Sequence, residues 1–66
     1  MINTDHIVCR RYALGMTQKD VAGAIGLGVD QVCRIETGKA KPSLRTLVSL
    51  CRILKTEPNR IVQWYD

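Results

Sequence analysis

The run Thr17-Gln-Lys-Asp-Val-Ala-Gly-Ala-Ile-Gly-Leu-Gly-Val-Asp-Gln-Val-Cys-Arg-Ile-Glu-Thr-Gly38 constrains this chain more than any other segment. Thr17 is a good N-cap and Asp20, three residues on, completes the pattern of a capping box, so the spacing predicts a helix starting near Gln18. Val21, Ala22 and Ile25 recur at three- and four-residue intervals and give that helix one apolar face, with Gln18, Lys19 and Asp20 in its exposed first turn. Gly26 suits the left-handed exit of a helix, and Leu27 is placed to fold back over the turn. Gly28 then opens a second helix, about residues 29 to 36, as a weaker N-cap than serine or aspartate would be.

Rotating this second helix by about 100° per residue puts Val32 and Ile35 on its buried side. Asp30, Cys33, Arg34 and Thr37 then point away from the core, with Val29 and Gln31 flanking that face at the leading end. These residue types match the chemistry of base edges in a DNA groove. Arg34 can serve a guanine at O6 and N7, Gln31 an adenine, and Val29 a thymine methyl. Asp30 would accept from a cytosine N4, bridge to Arg34 four residues on, or reject wrong sites. The plainer alternative is a solvated face of a small helical protein, and the tight turn spacing argues against it.

Charge supports the same direction. The formal net charge is +4 and the pI about 9.3, which favours a polyanionic partner, although basicity alone would also suit an acidic protein or a membrane surface. The N-terminus of the first motif helix, at Thr17 and Gln18, offers N–H groups and a positive dipole end to a phosphate. After the second helix, Lys39 and Lys41 lie in a loop, and Arg45 sits one turn into the next helix, bracketing the motif with a second anion site. Ordinary surface charge is the alternative for this loop.

With 66 residues the chain has room for one domain, residues 1–66, which at this size buries only about 60% of its unfolded surface. The pattern predicts an all-α fold: a compact bundle of five helices with no strand. The first runs from about Thr4 to Leu14, capped by Thr4 or Asp5 and ended by Gly15. The fourth follows Pro42, with Ser43 as cap and Leu44, Leu47, Val48, Cys51 and Leu54 as its apolar stripe. The fifth starts at Pro58, where proline suits a first helical position. No apolar run is long enough to span a membrane, and the first residues lack the basic and apolar regions of a leader, so a cytoplasmic location is expected.

One histidine and three cysteines raise the question of a metal. His6 and Cys9 share a helical spacing, but Cys33 and Cys51 come far later and no Cys-x-x-Cys occurs, so no metal or other cofactor is expected. Cys9 and Cys51 read as buried, reduced thiols; Cys33 lies on the outward face, where oxidation would switch binding if its thiol were activated. No nucleophile and base stand together, so no catalytic residue is assigned and an enzyme is not expected.

The segments T-Q, I-G-L-G, R-I-E-T-G-K and K-P-S together resemble the lambda-repressor-like helix-turn-helix family, the Cro/repressor or XRE type of small bacterial and phage regulators. Similar residues occur in that family at Ile7, Arg11, Gly15, Met16, Val21, Val32, Leu44, Leu47 and Leu50, and the likeness covers roughly residues 7–62, with the motif at about 17–37. The resemblance implies that Gln18 touches backbone or a base edge near the recognition helix, and that Arg11 and Glu36 form a partly buried ion pair across the motif. Arg10 stands where the family commonly has leucine, and Asp30 where it more often has a neutral or basic residue.

The expected function is therefore a sequence-specific regulator of transcription, a repressor of phage, plasmid or mobile-element type, with double-stranded DNA as partner. One recognition helix reads few base pairs, so a homodimer on a near-palindromic operator is expected. Ile61, Val62, Trp64 and Tyr65 are its interface candidates, with packing inside one chain as the alternative. Two other uses of such a bundle remain open: a restriction-modification controller protein, or an antitoxin or antirepressor that mainly holds a protein partner.

Overall fold

A computed structural model describes residues 2–62. Five helices follow one another: α1 (Thr4–Ala13), α2 (Gln18–Ile25), α3 (Val29–Glu36), α4 (Leu44–Ile53) and α5 (Pro58–Ile61).

Each boundary has a local cause. At α1 the cap is Asn3, whose Oδ1 accepts the His6 N–H at 3.1 Å, instead of the expected Thr4 or Asp5. Asn3 is held there because its own N–H donates to the Ile61 carbonyl at 2.6 Å. At α2 the full capping box forms: Thr17 Oγ1 accepts from Asp20 N at 3.0 Å, and Asp20 Oδ2 accepts from Thr17 N at 2.9 Å. Gly28 has no side chain to cap α3, so only the reciprocal half exists there, with Gln31 Oε1 accepting the Gly28 N–H at 3.0 Å. Ser43 Oγ accepts from Thr46 N at the start of α4, and Pro58 opens the single turn of α5.

Four helices leave through a left-handed residue: Gly15, Gly26 and Gly38 at φ 68°, 75° and 78°, and Lys55 at φ 53°. Glycine takes that conformation freely, whereas a side chain costs about 1 kcal/mol. At Lys55 the exit of α4 is a Schellman pattern, with Thr56 N donating to Cys51 O at 3.0 Å and Lys55 N to Arg52 O at 3.4 Å.

The core is Ile7, Val21, Ala22, Val32, Ile35, Leu50, Cys51, Leu54 and Ile61, flanked by half-buried Ile2, Leu14, Met16, Ile25, Leu27 and Leu47. α2 packs on α3 and α4, while α1 packs on α3 and α5. Two expectations about burial are corrected. Cys9 is exposed, because it lies about 200° round α1 from Ile7, which takes the core. In α4, Leu44 is 78% and Val48 45% exposed; the core is served by Leu47, Leu50, Cys51 and Leu54, and Val48 lies roughly 100° away from their mean direction.

Among the described residues no strand forms, but Ile2 and Val62 make an isolated antiparallel bridge. No helix among them is long and apolar enough to cross a membrane, and no group of His, Cys, Asp or Glu among them could hold a metal ion.

Candidate nucleic-acid interface

The amphipathic pattern of α3 decides what it presents. Val32 and Ile35 are buried in the core, which turns Val29, Asp30, Gln31, Cys33 and Arg34 outward, all exposed. Among the described residues, the side chains of Val29, Asp30, Cys33 and Arg34 make no hydrogen bond or ion pair with the rest of the protein. Asp30 and Arg34 therefore do not bridge, and both heads stay available to a partner. Gln31 is different, because its carbonyl oxygen holds the Gly28 N–H. Thr37 is also committed, its hydroxyl donating back to the carbonyls of Cys33 and Arg34.

Behind that face lies a polar network across three helices. Arg11 of α1 donates from Nε to Glu36 Oε2 at 2.7 Å and from Nη2 to Glu36 Oε1 at 3.0 Å, and both side chains are buried. Arg11 Nη1 donates to the Met16 carbonyl at 3.1 Å, the turn before α2. The hydrogen bond to Glu36 raises the guanidinium's pKa above its ordinary value despite the opposing effect of burial. The guanidinium carbon also lies 4.6 Å from the centroid of the exposed Tyr12 ring.

Gln18 belongs to this network. Its Nε2 donates to Glu36 Oε1 at 3.0 Å, which joins α2 to α3 and leaves the side chain's carbonyl oxygen and second N–H without a hydrogen bond among the described residues. Thr17 is committed: its hydroxyl and its N–H are both used in the capping box. Asp20 sits fully exposed at the same helix end, its carboxyl held below the usual 3.8 by the Thr17 hydrogen bonds.

The N–H groups of Gln18 and Lys19 carry no hydrogen bond among the described residues, leaving them free at the positive end of α2. The sequence marks Lys19 only as one residue of an exposed first turn. It lines a surface groove with Tyr12, Gly15, Met16, Thr17 and Gln18, and its signal was a lysine in the exposed first turn of the motif.

On the other flank the α3 exit folds back tightly, with Gly38 N donating to Ile35 O and Lys39 N to Arg34 O at 2.8 Å. This places exposed Lys39 and Lys41 ahead of exposed Arg45 in the first turn of α4. Lys41 lines a cleft of about 330 Å³ together with Arg34, Gln31, Ser43 and Thr46, so two candidate base readers and one candidate phosphate contact share its walls.

The expected dimer contacts divide. Ile61 is 0% exposed, sealed in its own core by α1 and α4, and is thereby removed from any surface. Val62 is half-buried beside Ile2. Trp64 and Tyr65 lie outside the described residues.

Comparison with known proteins agrees with this geometry: a family model described as helix-turn-helix matches residues 9–61. No curated protein matches the chain.

Proposed function

The chain belongs to the XRE, lambda-repressor-like helix-turn-helix family of DNA-binding transcriptional regulators, and from that premise we propose that it is a repressor reading a near-palindromic operator as a homodimer. The observation that carries this reading is the exposed face of α3. Val29, Asp30, Cys33 and Arg34 are not used by the fold, and they are flanked by free amides at α2 and by Lys39, Lys41 and Arg45.

In this reading α3 enters the major groove. Arg34 pairs with a guanine, Val29 meets a thymine methyl, and Asp30 accepts from a cytosine or penalises sites that place a phosphate near it. Lys19 with the α2 amides holds one phosphate strand, and Lys39, Lys41 and Arg45 hold the other. Two copies with half-sites about 34–36 Å apart supply the discrimination that one eight-residue helix cannot. Val62, Trp64 and Tyr65 are the residues offered for the contact between copies. The protein would act on DNA in the cytoplasm, on a phage, plasmid or mobile element.

Selection from a random duplex pool tests the proposal, followed by titration of the winner and a scrambled duplex at several salt concentrations. The expected outcome is an enriched two-fold motif bound at about 10⁻⁸ M or tighter and about a thousandfold better than scrambled DNA. Arg34→Ala should lose most of that preference. Weak binding, equal on both duplexes and abolished by modest salt, would overturn operator reading in favour of a protein partner.

A further inference from the structure

The left-handed exit of α4 is the exception among four, since Gly15, Gly26 and Gly38 serve the others and only Lys55 carries a side chain there. A cation near a helix C-terminus interacts favourably with its dipole, but α4 already has Arg52 in its last turn. Arg10 also reaches across from α1, donating from Nε to the Leu54 carbonyl at 3.1 Å and from Nη2 to the Lys55 carbonyl at 3.4 Å. The dipole thus gives no sufficient reason for a strained lysine.

What Lys55 does is form one wall of a cleft of about 400 Å³, lined by His6, Arg10, Lys55, Thr56, Glu57 and Arg60. The walls are fixed to each other: His6 Nε2 and Thr56 Oγ1 are 2.8 Å apart, and the Arg10 bonds tie α1 to the corner between α4 and α5. Arg10, Lys55 and Arg60 make no ion pair among the described residues, so three cations and one carboxylate, Glu57, meet in one concavity. Two of Arg10's five N–H donors are used by the carbonyls, which leaves donors over for a ligand.

This cleft is at the far end of α4 from Lys41 and Arg45, about 15 Å along a 10-residue helix. We propose that it is a binding site for a small, multiply charged phosphate compound, distinct from the surface that meets duplex DNA. Guanidinium groups match phosphate oxygens in pairs, an ammonium adds charge, and a cleft of this volume is in the range of small-ligand sites.

The test is an amide chemical-shift titration of the full chain with inorganic pyrophosphate at low salt, using the wild type, Lys55→Gly, Arg60→Ala and Lys41→Ala. Saturable shifts are expected around residues 6, 10 and 54–60, weakened about fivefold by Lys55→Gly or Arg60→Ala and unchanged by Lys41→Ala. Lys55→Gly should melt no lower than the wild type, because glycine relieves the positive φ; if it fails to fold, Arg60→Ala decides alone. Duplex affinity should change by less than about twofold in both cleft variants. Shifts confined to residues 39–45, no saturation, or duplex affinity falling as far as pyrophosphate affinity would each overturn the proposal.

Discussion

Glu36 is the residue on which the motif turns, because one carboxylate receives both the Arg11 guanidinium and the Gln18 amide. Replacing it by alanine leaves a buried guanidinium without a counter-charge, and a loss of about 3 kcal/mol in urea unfolding is expected. The double reversal Arg11→Glu with Glu36→Arg should recover part of that loss, while failure to exceed either single reversal would argue that the pair contributes nothing specific. Asp20 gives a pH signature. Its folded-state pKa lies below 3.8, so its contribution is present above that value and disappears as pH falls through the lower, folded-state pKa. Melting curves of the wild type and Asp20→Asn should converge as the pH is taken below about 4 and separate above it. At this scale residue types were legible but partners were not. A glutamine in the first turn of a motif helix has the right chemistry for DNA, and nothing in its neighbours along the chain reveals a glutamate 18 positions later within 3.0 Å.

The elements were legible where their signals are local. α2 begins and ends as its spacing predicts, since the Thr17 and Asp20 capping box and the left-handed Gly26 are written within ten residues. α1 is shifted by one residue at its cap because Asn3 answers to Ile61, a contact between chain ends that no window contains. In α4 the expected stripe holds at Leu47, Cys51 and Leu54 but takes in exposed Leu44 and Val48 and omits buried Leu50, because all three are apolar and what packs against the helix selects which of them is covered. Ile61 shows the same limit: an apolar residue near the end of a small chain reads alike whether it closes its own core or a neighbour's. α3 carries the weaker entry of the two motif helices, because Gln31 supplies one half of a capping box whose other half Gly28 has no side chain to make. Gly28→Ser should therefore raise stability by a few tenths of a kcal/mol, seen as a small rise in melting temperature. It should complete the capping box, with the Gln31 carbonyl oxygen still accepting from the residue 28 N–H; a lower melting temperature would argue against an unfilled cap there.

For the whole molecule, a chain of 66 residues with nine buried apolar residues among those described has little stability to spare. A duplex bound only by the folded state should raise it by about 2.7 kcal/mol at a hundred times the dissociation constant, measurable as a large shift in melting temperature. If Lys39, Lys41 and Arg45 neutralise phosphates, replacing any one by alanine should flatten the slope of log affinity against log salt by about 0.9. An unchanged slope would remove that residue from the interface. The bridge between Ile2 and Val62, with Asn3 bonded to Ile61, gives the described chain the connectivity of an almost closed ring. A circular permutant joined there and opened in the loop after α3 would keep every helix and its core neighbours. It would cut only the basic strap between the recognition helix and α4, so folding and operator affinity, inseparable in most core variants, become separable by moving the break in the backbone.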